Sequence, residues 1–125
     1  MLKDNVIVAK SEAFALRIVR LDQYLIRSGC DRVLTRQLLK SGTSIGANVK
    51  EAVYAQSRPD FYTKMKIALK EAGETEYWLK LLRNSDHLDE RQFSSIENDC
   101  TELIRLLTAI TKSTKASDVK PESLN

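Results

Sequence analysis

Ser41-Gly42-Thr43-Ser44-Ile45-Gly46-Ala47-Asn48 holds two of the chain's four glycines and reads equally well, at first sight, as loop or helix. Two glycines inside a helix cost about 1 kcal/mol each against alanine, which favours a loop. The flanking residues decide otherwise. Leu34, Leu38, Ser41, Ile45, Asn48, Ala52 and Ala55 alternate steps of four and three, so one helical face passes through the stretch in register. Leu39, Gly42, Gly46, Val49 and Val53 form a second apolar or small seam beside it. A helix with two such faces is buried on two sides. Close approach of another backbone would offset the glycine cost. The expectation for Gly42, Gly46, Val49 and Val53 is a neighbouring subunit, with a tight crossing inside the bundle as the alternative.

The same periodicity extends outward from this helix. Ile7, Phe14, Ile18, Leu21 and Leu25 make one face of a preceding helix, which ends at Ser28-Gly29, and Asp31 is placed to cap the glycine-bearing one. Ser57-Arg58-Pro59-Asp60 starts a third helix, with a capping hydroxyl, a first-turn proline and an acid at the positive end of the dipole. Its seam, Phe61, Met65, Ala68, Ala72, Thr75, Leu79 and Leu82, is the most regular of all. After Asn84-Ser85-Asp86-His87 and a capping Asp89, a fourth seam runs Phe93, Ile96, Cys100, Leu103, Leu107 and Ile110.

Seams that alternate three and four are coiled-coil-like, and short connections make neighbouring helices antiparallel. The reading is therefore all-α: an antiparallel up-down-up-down four-helix bundle over residues 1–114. Residues 115–125, beyond a Ser/Thr/Lys-rich stretch and around Pro121, are expected to be a disordered tail. Composition agrees, since 42% of the 125 residues are hydrophobic and 30% charged, while four glycines and two prolines cannot serve the many turns of an all-β domain.

Neither a signal-peptide core nor a spanning segment is legible, so no membrane partner is expected. Cys30 and Cys100 have no CxxC partner and read as free thiols in a reducing cytoplasm. No cofactor and no small-molecule substrate are evident. Asn48, Glu51, Glu71 and Glu74 are expected to form a polar layer inside the bundle. Carboxylates on facing helices raise the possibility of a di-metal site, but di-iron bundles use two Glu-x-x-His motifs and the one histidine, His87, falls in a loop. A magnesium-dependent pyrophosphatase would need a second spaced acidic pair to complement Glu71-x-x-Glu74, and Glu97-Asn98-Asp99 does not supply one. The chain is read as no enzyme.

Charge is the remaining clue. The 20 Lys and Arg exceed the 17 Asp and Glu by a modest +3, yet residues 1–57 carry nine basic side chains against five acidic. At 100° per residue Lys3, Lys10, Arg17, Arg20 and Arg27 fall within about 120° of one another on the first helix, with Tyr24 in the same sector. Arg36 and Lys40 continue the charge into the second helix. Such a stripe either tracks a phosphate backbone or is an ordinary solvated face.

Two motifs carry a resemblance over about Phe14 to Leu107. They are Ser41-Gly-Thr-Ser44-Ile45-Gly-Ala-Asn48-Val-Lys-Glu51-Ala52, then Asp60-Phe61 and Lys64-Met-Lys-Ile67-Ala68-Leu-Lys70-Glu71-Ala72-Gly-Glu74-Thr75-Glu-Tyr77-Trp78-Leu79. The chain resembles the bacterial bundle family whose members are named 23S rRNA intervening-sequence proteins or S23 ribosomal proteins. That family is similar to the accessory variability protein of diversity-generating retroelements, a basic pentameric bundle that binds nucleic acid and a reverse transcriptase. Lys50 and Ala52 stand where many members have small or apolar residues and Gly. The resemblance implies a cytoplasmic, non-enzymatic homo-oligomer, a pentamer, with nucleic acid as partner and rRNA foremost. The alternative is a protein-interaction or scaffold oligomer, such as an accessory subunit to a nucleic-acid enzyme, that makes no direct nucleic-acid contact.

Overall fold

The computed structural model describes residues 6–123, with side chains through Lys115. Four helices follow one another: α1 (Val6–Arg27), α2 (Arg32–Val53), α3 (Arg58–Asn84) and α4 (Glu90–Ser123). No strand occurs among the described residues.

Local chemistry fixes each boundary. Gly29 at φ +84° ends α1, and the Cys30 N–H reaches the Leu25 carbonyl at 3.0 Å while the Gly29 N–H reaches that of Ile26 at 3.1 Å. This is a Schellman cap, which needs a left-handed residue where Gly29 stands. The α3 end repeats the pattern with a non-glycine residue. Asp86 sits at φ 65°, with the His87 N–H on Leu82 at 2.9 Å and its own N–H on Arg83 at 3.0 Å. Asp31 caps α2 by accepting from the Val33 N–H at 2.7 Å, and Ser57 caps α3 by accepting from the Asp60 N–H at 3.1 Å. At the start of α4, Asp89 and Gln92 exchange hydrogen bonds of 2.8 and 2.9 Å between side chain and backbone N–H, a capping box.

The expected seams are the core. Phe14, Ile18, Leu25, Leu38, Ile45, Met65, Leu79, Phe93, Leu103 and Leu107 are buried with Cys100. Packing is close between α1 and α2, α2 and α3, and α3 and α4, whereas α1 and α4 approach each other least. At the loop end, the Arg83 guanidinium lies 4.1 Å from the Phe93 ring centroid and ties α3 to α4.

Two expectations are corrected. Gly42 and Gly46 face α1 of the same chain: a Cβ on Gly42 would lie 2.7 Å from Ile18 Cγ1, and one on Gly46 3.2 Å from the Ser11 carbonyl oxygen. Val49 is fully buried in that core, and Val53 is exposed. The glycine seam thus serves a crossing within the bundle, not a subunit neighbour, because α1 already fills the space the glycines leave.

The polar layer is likewise elsewhere. Glu51 and Glu74 are exposed, and Asn48 and Glu71 half-buried. Glu51, Glu71 and Glu74 each precede a buried seam residue, Ala52, Ala72 and Thr75, and one step of 100° turns each away from the core. Glu51 pairs with Lys64 at 3.2 Å on the rim, and the Asn48 amide donates to the Ser44 carbonyl at 2.9 Å. The buried polar pair is Ser41 and Thr75, whose hydroxyl oxygens are 3.0 Å apart between α2 and α3. They also lie 3.3 and 2.8 Å from the Leu38 and Glu71 carbonyls.

Finally, α4 continues to Ser123 through the stretch where a tail was expected to begin. Residues 91–120 contain neither glycine nor proline, so nothing local stops the helix before Pro121, which falls within its last three residues.

Candidate nucleic-acid interface

The seam between α1 and α4 carries a ladder of polar side-chain contacts. Lys10, Arg17 and Tyr24 recur every seven residues on α1, so they stack along one line of the helix. Each meets a partner on antiparallel α4. Lys10 Nζ lies 3.1 Å from Glu102 Oε2. Arg17 donates from Nη1 to Asp99 Oδ2 at 2.7 Å and to the Ser95 carbonyl at 3.2 Å, and from Nη2 to Ser95 Oγ at 3.0 Å. Gln92 donates to the Tyr24 hydroxyl at 3.2 Å with the same side chain that closes the α4 capping box.

Toward the loop end this seam opens into a groove of about 470 Å³. Leu21 and Ile96 contribute its apolar lining, and Arg17, Arg20, Arg91 and Tyr24 its basic and aromatic one. Arg20 and Arg91 are exposed and form no ion pair among the described residues. Asp99 holds the Arg17 guanidinium in place without removing it from the groove. Two solvated guanidiniums, a third fixed by hydrogen bonds and a half-exposed phenol make a surface that offers phosphates charge and a base a stacking face.

The stripe read from the sequence is therefore divided. Lys3 lies outside the described residues. Lys10 and Arg17 are engaged by Glu102 and Asp99 of the same chain. Arg20 alone of the stripe enters the groove unpaired, and Arg27 sits in the last turn of α1, where the helix dipole favours a cation. Arg36 and Lys40 belong to α2, and Lys40 acts on Glu71 of α3. Arg91 was missed because the second half of the chain is close to neutral in aggregate, and the antiparallel return of α4 beside α1 is what brings it to Arg20.

Among the described residues no three His, Cys, Asp or Glu side chains converge. Glu71 has its carboxyl pushed upward, first by burial, then by the charge of Glu74 one turn on, against the opposing pull of Lys70 and Lys40. Burial, followed by the charges of Glu76 and Glu97, drives the Cys100 thiol up to about 12. No described helix is long and apolar enough to cross a membrane.

Four antiparallel helices with one partly open seam between the first and the last define the class as an all-α four-helix bundle. The model of the 23S rRNA-intervening sequence protein family matches residues 3–109, and the chain belongs to that family. It is also 51% identical to a protein of unknown function from the S23 ribosomal protein family of Bacteroides thetaiotaomicron VPI-5482. The match to that crystal structure covers 86% of this chain and 99% of that one, with a TM-score of 0.84. No curated protein matches the chain.

Proposed function

We propose that the chain is a cytoplasmic, non-enzymatic RNA-binding subunit of a homo-oligomer, with rRNA as its partner and the α1–α4 groove as its contact. The observation that carries this reading is the juxtaposition of Arg20 and Arg91, unpaired and on opposite walls of an open groove, with Arg17 and Tyr24 beside them. Chain ends and helix dipoles aside, nothing in the bundle's own stability requires two solvated arginines there. Net charge of +3 is small for one subunit, and several copies side by side would multiply it. Five is the copy number that the family resemblance implies.

A second reading is favoured by a specific observation. Lys10 and Arg17 are engaged within the chain, so half of the described α1 stripe is seam chemistry, as a scaffold module without nucleic-acid contact would have it. Fluorescence anisotropy with labelled 23S rRNA fragments separates the two. The RNA reading expects binding that falls as salt rises and is lost in Arg20→Glu/Arg91→Glu. Absence of binding at 50 mM salt supports the scaffold.

A further inference from the structure

Hydrogen bonding around the α1–α4 groove fixes the direction of one exposed proton. Gln92 Oε1 lies 2.9 Å from the Asp89 backbone nitrogen. A backbone N–H can only donate, so the amide is set with its oxygen toward the start of α4 and its nitrogen toward Tyr24. Gln92 Nε2 accordingly donates to the Tyr24 hydroxyl oxygen at 3.2 Å. The Tyr24 proton then points away from Gln92, and the hydroxyl meets no other group among the described residues. Ser95 repeats the arrangement: its Oγ accepts from Arg17 Nη2 at 3.0 Å and donates to no described group.

The unspent groups of the lining are donors: the Tyr24 and Ser95 protons, the second amide proton of Gln92, and the guanidiniums of Arg20 and Arg91. The acceptors nearby are already met. Gln92 Oε1 takes the Asp89 N–H, the Ser95 carbonyl takes Arg17 Nη1 at 3.2 Å, and Asp99 Oδ2 takes the same nitrogen at 2.7 Å. Leu21 and Ile96 add an apolar face for a flat ring. A base suits such a lining when it presents an edge with two acceptors and no donor. Guanine has one, O6 beside N7, whereas adenine sets its N6 amine next to N7. An amine brought to the Tyr24 proton leaves two donors face to face and both unmet.

We infer that the groove prefers guanine to adenine in single-stranded RNA, reading O6 and N7 through the Tyr24 hydroxyl and a neighbouring guanidinium. Gln92 is the positioning residue, because its amide aims the Tyr24 proton. This rests on the RNA reading above and names the base that the groove takes. Phosphate contacts by Arg20 and Arg91 are indifferent to sequence, so the preference and the binding itself separate experimentally.

Fluorescence anisotropy at low salt tests the inference with labelled nonanucleotide RNAs built of the repeats UUG, UUA and UUI, where I is inosine. Far-UV circular dichroism establishes that each variant is folded. Wild type is expected to bind the guanosine and inosine strands roughly three- to ten-fold more tightly than the adenosine strand, the worth of one hydrogen bond. Tyr24→Phe keeps the ring and removes the proton, and is expected to bring that ratio to within about two-fold of parity while leaving affinity for the adenosine strand unchanged. Gln92→Glu still accepts the Asp89 N–H but also takes the Tyr24 proton, and is expected to lose the ratio too. Its added charge weakens all three strands alike. Equal wild-type affinities, an inosine strand that binds as the adenosine strand does, or a ratio kept in Tyr24→Phe overturns the base preference while leaving RNA binding in place. A wild type that binds none of the three overturns both.

Discussion

Ile18 of α1 occupies the space that a β-carbon on Gly42 of α2 would need: the added atom would lie 2.7 Å from Cγ1 and 2.8 Å from Cγ2. Ile18 is fully buried, so it cannot swing aside into solvent. The glycine is there for the isoleucine, and the pair sets how closely the first two helices cross.

The same substitution therefore has opposite signs at two helical glycines. Gly42→Ala overpacks the crossing and is expected to cost roughly 1–3 kcal/mol. Gly73 is exposed on α3 and a β-carbon there meets nothing within 4 Å. Gly73→Ala is expected to stabilise by about 1 kcal/mol through helix propensity. Urea denaturation of both variants checks this, and loss of stability in Gly73→Ala would mean that the site packs against something in solution.

Asp86 holds the left-handed position of a Schellman cap that Gly29 fills elsewhere in the chain. Asp86→Gly relieves the side-chain strain and is expected to raise stability by a few tenths to about 1 kcal/mol, less whatever unfolded-state entropy glycine adds. Thermal unfolding reads the shift, and the opposite sign would show that the aspartate side chain stabilises the turn.

Glu71 contributes a pH dependence whose sign follows from its environment. Its carboxyl is raised in the folded state by burial and by Glu74, so the unfolded chain releases that proton at lower pH. The group's favourable share of stability is complete below the ordinary carboxylate range and is lost as pH climbs through the raised value. Glu71→Gln is expected to be more stable than wild type at pH 7, with the difference closing below pH 4. A difference independent of pH would place the effect in packing.

Cys100 is fully buried, its thiol pushed up to about 12, and Cys30 is buried with its thiol raised by burial and by Asp31. The thiolate is the reactive form. Neither cysteine is expected to react with a thiol reagent at pH 8 in native protein, and both should react in guanidinium. Rapid labelling of native Cys100 would indicate that the bundle opens.

The sequence made the helices legible because burial of a bundle follows one period, and Phe61 to Leu82 keeps that period without fault. What it left open was which neighbour each face meets. Gly42 and Gly46 announced a close approach, but whether the approaching backbone belongs to the same chain depends on how α1 folds back, which no local pattern contains. Glu51 and Glu74 sit one position from buried residues, and a single step around the helix separates a core group from a solvated one. The α1–α4 groove was half visible: Arg17, Arg20 and Tyr24 share a face of one helix, whereas Arg91 joins them through an antiparallel return across most of the chain.

The central claim is that the α1–α4 groove binds RNA through Arg17, Arg20 and Arg91. Its most direct measurement is the affinity for a labelled single-stranded 23S rRNA segment across a salt series, for wild type and for Arg20→Glu/Arg91→Glu. Three phosphate contacts predict a log–log salt slope of about −2 per subunit, and the double reversal should weaken binding by roughly ten-fold or more. A wild type that does not bind at low salt, or a double variant that binds as well as wild type, contradicts the account.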